Sequence, residues 1–152
     1  MKSLHARKKW LWILQAATIG LFAGFLLTIP VYSFFKTSAS LILPLIFTVL
    51  GIVYGFKRFK NWRFQQRDQY LYIEHGVLKK TYTMVPYVRI QHIDTDRGPI
   101  DRMLGLSNLR VYTAGSRGAD IKIPGLNREE ALKLQKQLRD TAIESEKGRD
   151  GV

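Results

Sequence analysis

WLWILQAATIGLFAGFLLTIPVYSFF (residues 10–35) is followed by one lysine, Lys36, and then by TSASLILPLIFTVLGIVYGF (residues 37–56). The first run holds 26 residues without a charged side chain and the second holds 20. A helix of about 20 apolar residues crosses a bilayer core of about 30 Å. The pair therefore reads as a membrane hairpin, with helices over about 10–35 and 40–56 and a short external turn at Lys36–Ser40. A cleaved signal peptide would share the basic start (Lys2, Arg7, Lys8, Lys9). Its apolar region, however, is only about 7–15 residues long, and here a second span follows at once.

Charge flanks orient the hairpin. The N-terminal segment 1–9 carries four Lys/Arg, and the connector 57–67 carries Lys57, Arg58, Lys60, Arg63 and Arg67, with no acid in either. The positive-inside rule puts both ends in the cytoplasm, at the cell membrane. Trp10, Trp12 and Trp62 fit the cytoplasmic interface, and Tyr32, Phe34 and Phe35 the outer one. No ionisable side chain falls at midplane depth, where such groups mark ion paths. Gly20-x-x-x-Gly24 and Gly51-x-x-x-Gly55 match the small-residue packing motif. They lie at different depths, so they are not expected to face each other. Ordinary close packing and a homodimer interface are both open to them.

The chain holds 24 Lys/Arg against 12 Asp/Glu, a net charge of +12. Residues 68–152 hold 14 of those cations and all 12 acids. The excess thus belongs to the hairpin flanks and reads as topology, not as a nucleic-acid footprint. The absence of cysteine excludes disulfides, thiolate metal sites and cysteine nucleophiles.

After the connector, residues 68–147 read as a small domain of strands closed by one helix, with a frayed tail at 148–152. Five strands are expected: Tyr70–His75, Val77–Val85 across a tight turn at His75-Gly76, Val88–Asp96, one around Leu109–Thr113 and one around Ile121–Ile123. Pro99–Leu104 fits a single helical turn stopped by Gly105. Ala114–Ala119 fits a loop. Asn127-x-x-Glu130 resembles a capping box, and Ala131, Leu134, Leu138 and Ala142 form one stripe of a helix that fades by Glu146–Gly148. The fold class is a membrane α-helical hairpin plus an α+β domain, an antiparallel sheet with a C-terminal amphipathic helix.

Catalytic constellations do not emerge. His5, His75 and His92 lack metal-ligand spacing. Asp94 and Asp96 share a strand face, but Arg89, Arg97 and Arg102 nearby favour a structural ion-pair cluster. Ser107 and Ser116 have no nucleophile-elbow context. The expectation is a non-enzyme with no catalytic, metal or cofactor residues and no small-molecule substrate. Lys57, Arg58, Lys60 and Arg63 are candidate contacts to anionic lipid, at about 1 kcal/mol per surface charge.

VPYVRIQHI (85–93), RGPIDRMLGL (97–106) and VYTAG (111–115) stand in order along the domain. Together with the two preceding spans, they resemble the bacterial pleckstrin-homology (PH)-like domain of small membrane proteins, the YdbS-like group. The resemblance implies a PH-like fold, a bent antiparallel sheet with a C-terminal helix, whose full form has seven strands. It carries over no catalytic residue. It singles out Pro86, Arg89, Gln91, Gly98, Pro99, Arg102, Gly105 and Gly115 as motif positions, chiefly architectural. Phosphoinositide binding is not carried over, because Lys79 and Lys80 follow a turn read as tight. The leading functional reading is a platform for protein interaction or assembly, its partner another membrane protein or a second copy. The alternatives are an anionic-lipid sensor and an accessory subunit of a transporter or membrane enzyme.

Overall fold

The computed structural model describes residues 2–36, 38–114 and 121–150. In chain order the elements are β1 (Lys2–Ser3), α1 (Ala6–Phe35), α2 (Ile42–Lys60), β2 (Arg63–Gln66), β3 (Tyr70–His75), β4 (Thr81–Pro86), β5 (Ile90–Asp96), α3 (Pro99–Met103), β6 (Leu106–Thr113), β7 (Ile121–Asn127) and α4 (Arg128–Asp150). Short 3-10 turns occupy Ser38–Leu41 and Tyr87–Arg89.

Both apolar runs are helical, and each helix extends one turn beyond its expected domain-side end, α1 back to Ala6 and α2 on to Lys60. Their large apolar side chains point outward: Phe22, Leu26 and Phe34 are 71%, 71% and 83% exposed. That is the surface a bilayer covers, not a soluble core.

All four motif glycines lie in the seam between the helices. A Cβ on Gly20 would stand 2.3 Å from the Phe47 carbonyl oxygen, and one on Gly24 2.4 Å from Pro44 Cα. A Cβ on Gly51 would meet the Ala16 carbonyl oxygen at 2.3 Å, and one on Gly55 would meet Ile13 Cα at 2.8 Å. The two motifs do not face each other; each faces the other helix's backbone. The glycines therefore serve packing within the chain. Gly24→Leu is expected to force the helices apart, at the ~1–3 kcal/mol typical of overpacking. Faster amide exchange along both helices in detergent will report it.

The sheet count corrects the sequence reading: seven strands among the described residues instead of five. Two segments read as flanking charge are strands. Lys2–Ser3 pairs antiparallel with Arg63–Gln66, Lys2 opposite Phe64 and Ser3 opposite Arg63. The membrane hairpin is thus inserted between the first two strands of one sheet, ordered β1-β2-β3-β4. The domain is not confined to 68–147: it begins before the spans, and the connector 57–67 is divided between the last turn of α2 and β2. The second sheet is β5-β6-β7, and all pairings in both are antiparallel.

The turn at His75-Gly76 is not tight. His75 pairs with Thr81, so residues 76–80 form a five-residue loop. Gly76 opens it at φ +118°, where a Cβ would strike the Lys79 carbonyl oxygen. Val77 and Leu78 belong to this loop, and β4 starts only at Thr81.

One core joins the two sheets and the terminal helix. It contains Phe64, Leu71, Ile73 and Val85 from the first sheet and Ile93, Leu109, Val111, Ile121 and Ile123 from the second. Ala131, Leu134 and Leu138 of α4 close it, as the stripe predicts. Asn127 caps this helix through both arms of the box: its side-chain oxygen accepts from the Glu129 N–H (3.4 Å), and its own N–H donates to the Glu130 carboxylate (3.2 Å). Gln135 fixes the helix laterally, donating to the Ile93 carbonyl (2.7 Å) and accepting from the Thr95 hydroxyl (3.0 Å). Helix α4 continues to Asp150, past its expected fading point at Glu146–Gly148. The loop expected at Ala114–Ala119, Ala114 aside, lies outside the described residues, as do Gly115 and residues 151–152.

Candidate functional site at the span–domain junction

Lys8, Leu11 and Trp12 recur at helical spacing, so the start of α1 presents one face to the domain, and Leu4, just before the helix, packs beside it. All four are buried. A lysine on that face needs a counter-charge, and Asp101 of α3 supplies it: Lys8 Nζ lies 3.0 Å from Asp101 Oδ1, with the two side chains 8% and 14% exposed. The other carboxylate oxygen accepts from Asn108 Nδ2 (2.8 Å), and Asn108 Oδ1 accepts from the Gly125 N–H (3.3 Å). The Gly125 carbonyl in turn accepts from the His5 N–H (3.1 Å), and Arg7 donates to the Leu104 carbonyl (3.0 Å). The start of α1 is therefore bonded directly to α3 and its C-cap and to β7, and through Asp101 to Asn108 of β6.

Backbone geometry makes room for this clasp. Gly125 sits at φ +66°, and a Cβ there would stand 2.5 Å from Lys8 Cγ. Gly105 sits at φ +69°, beside Arg7. Burial alone would raise the Asp101 pKa. The hydrogen bonds from Asn108 and Lys8 outweigh it and hold the carboxyl below its ordinary 3.8.

Arg58 turns toward this junction, its guanidinium 4.4 Å from the centre of the Trp12 ring. Lys57 and Lys60 lie on the other flank of α2, where with Ile52, Val53 and Phe56 they line a furrow shared with Val77 and Leu78 of the β3–β4 loop. Leu78 is 96% exposed, and Asn61 ties the loop down by donating to the Gly76 carbonyl (3.1 Å). Arg63, on β2, stands opposite Glu74. The four candidate lipid contacts are thus dispersed: one at the junction, two along the furrow and one on the sheet.

The motif positions occupy turns and element ends. Pro86 ends β4, and Arg89 closes the 3-10 turn and accepts from the Ala114 N–H at 3.0 Å. Gln91 sits where the β5–β6 register shifts. Gly98 caps α3, Pro99 starts it, Arg102 closes its turn onto the Gly98 carbonyl, and Gly105 ends it. The expected cluster of Asp94 and Asp96 with Arg89, Arg97 and Arg102 is replaced. Asp96 is bridged by Arg110 (2.8 Å), Asp94 meets His92 (2.6 Å), and Arg97 donates to the Leu106 carbonyl (3.0 Å).

The four-stranded sheet leaves a face uncovered. On β3 and β4, Tyr72 and Tyr82 stack with ring centres 6.5 Å apart. Met84, opposite Tyr72, is 61% exposed, and Tyr82 is 55% exposed. Strand β4 is an edge of its sheet.

A four-stranded and a three-stranded antiparallel sheet closed by a C-terminal helix form a PH-like fold, here carrying two transmembrane helices. The profile of the bacterial PH domain matches residues 13–142, and the chain belongs to that family. A stretch of 81 residues is 33% identical to the UPF0699 transmembrane protein YdbS of Bacillus subtilis (strain 168). That match takes in 53% of this chain and spans about half, 49%, of the relative. Among solved structures, a DUF1696 family protein with a pleckstrin-homology domain from Shewanella loihica PV-4 aligns at a TM-score of 0.43 and 21% identity, over 56% of this chain and 74% of that one.

Proposed function

We propose that the chain is a non-enzymatic membrane protein that holds its bacterial PH domain against the cytoplasmic face of the cell membrane as an assembly module. Its partner is another membrane protein or a second copy of itself. The observation that carries this reading is the uncovered face of β3 and β4. Tyr72, Tyr82 and Met84 are residue types enriched in protein interfaces, and they lie beside an edge strand that can accept a further strand. The clasp supports a platform role, because it fixes the orientation in which that face is offered. Pairing of β1 with β2 supports the topology, since it requires the N-terminus and the domain to share one side of the membrane.

A photo-crosslinking residue at Tyr82 or Met84, in the full chain in its native membrane, is expected to give one discrete adduct with a membrane protein or a second copy. The same residue at Lys133, on α4, is the control. Equal adducts from all three positions would count against the docking face.

Attraction to anionic lipid is the second reading, favoured by the cations Lys57 and Lys60 beside the exposed Leu78. It is compatible with the first, because a domain drawn onto the bilayer still exposes β4. An accessory role in a transporter or membrane enzyme has no separate observation behind it.

A further inference from the structure

A cavity of about 680 Å³ lies between the domain-side ends of the spans and the PH domain. Its size is within the ~300–1,000 Å³ usual for small-molecule sites. Lys8, Arg58, His75, Asp101, Asn108 and Lys122 contribute to its wall. Asp101 is already committed to Lys8. Arg58 and Lys122 form no salt bridge among the described residues, and although Lys122 also acts on Asp101 at longer range, the wall sets three cations (Lys8, Arg58, Lys122) against that one carboxylate. His75 adds a buried Nδ1 with no hydrogen-bond partner among the described residues.

The same wall opens into the membrane. Trp12, Tyr54 and Arg58 also line an apolar groove that runs down the two helices past Gly20, Ala23 and Phe47. From Arg58 to Phe47 is about 16 Å along α2 at 1.5 Å per residue. That is close to half of a bilayer core of about 30 Å. A polar, cationic chamber at the interface thus continues into an apolar channel one leaflet deep.

The geometry points to a binding site for a single anionic phospholipid, its headgroup phosphate held by Arg58 and Lys122 and an acyl chain laid in the groove between the spans. Arg58 stacked on Trp12 sits at the junction of the two parts, where the phosphate of an embedded lipid lies. A guanidinium there can pair with the phosphate while its plane remains on the ring. Lys122 reaches the chamber from β7, so an occupied site would join the hairpin to the second sheet. The site is separate from the β3–β4 docking face, and it differs from diffuse attraction by the connector because only one of the connector's cations belongs to it.

The test is native mass spectrometry of the full chain, extracted from vesicles of equal phosphatidylglycerol and phosphatidylcholine and washed in detergent. The unaltered chain is expected to retain one phosphatidylglycerol. The Arg58→Gln/Lys122→Gln double variant, altered at exposed positions, is expected to retain it about tenfold less or worse, as for loss of charge-assisted hydrogen bonds. Thr18→Phe, which fills the groove from an exposed position, is expected to lower retention with the cations intact. Lys57→Gln/Lys60→Gln and Tyr82→Ser, none of them in the cavity wall, are expected to leave retention of this one lipid through the detergent wash unchanged. Equal retention of the two lipids, or retention lost with Lys57 and Lys60 but not with Arg58 and Lys122, would overturn the site. A change with Tyr82→Ser alone would implicate the docking face instead.

Discussion

Replacing Lys8 with alanine is expected to destabilise the PH domain by about 3–5 kcal/mol, the range found when one partner is stripped from a buried ion pair. Among the described residues, Asp101 would be left with Asn108 as its side-chain donor, at a carboxylate only 14% exposed. Asp101→Ala should cost a comparable amount, because it leaves a buried ammonium. The double variant Lys8→Met/Asp101→Leu should recover much of the loss, since an apolar pair of similar size removes both desolvation penalties. Near-ultraviolet circular dichroism of Trp62, buried in the same core, reports the melt in detergent. The clasp also has a pH signature. The Asp101 carboxyl is held below 3.8 in the folded chain, so its contribution is fully present above that value. The contribution is lost as pH falls through the lower folded value. Acid loosening of the junction should therefore begin below about pH 4 and be absent in the double variant.

Leu138→Ala is expected to cost about 2–5 kcal/mol, the range for deleting a fully buried leucine. Leu138 has no exposed surface, and it packs with Leu134 and Ala131 on the second sheet. The helix has few alternatives to that contact: Lys133 and Lys136 lie on its opposite side, and among the described residues its side-chain hydrogen bonds to the sheets run through Gln135. A domain of this size has little stability in reserve. The melting temperature should fall clearly. Leu132→Ala, at a half-exposed position, should leave it nearly unchanged. Equal melting of both variants would show that α4 is not part of the core.

The spans and α4 were legible because each repeats one signal over many residues: unbroken apolarity in the first case, a 3.6-residue stripe in the second. The strands β1 and β2 were not. Two residues carry no periodicity, and Arg63-Phe-Gln-Gln sits in a basic segment that topology alone accounts for. The β3–β4 loop was misread because Val77 and Leu78 carry the apolar character of a strand onward past Gly76. The clasp joins residues 93 positions apart, and no local pattern pairs them. A partial signal is present, since the spacing of Lys8, Leu11 and Trp12 places a lysine on an otherwise apolar helix face. The cations of the connector were found, but not their separation. Arg58 and Lys57 are adjacent in sequence, and the helix turns them to opposite flanks. The glycine seam was half legible: its motifs were visible, while their partner, the other span, depended on how two helices meet.

The proposed function requires that the PH domain sit against the membrane in one pose, with the β3–β4 loop at the lipid surface and the β3–β4 face turned away from it. A chain without cysteine can be labelled at one chosen position. An environment-sensitive fluorophore on Leu78→Cys and, separately, on Met84→Cys of the full chain in vesicles tests that requirement directly. The pose predicts a blue-shifted probe at position 78, quenched by bromine-labelled lipid, and a probe at position 84 that bromine-labelled lipid does not quench. Water-like emission at position 78, or lipid quenching at 84, would contradict it.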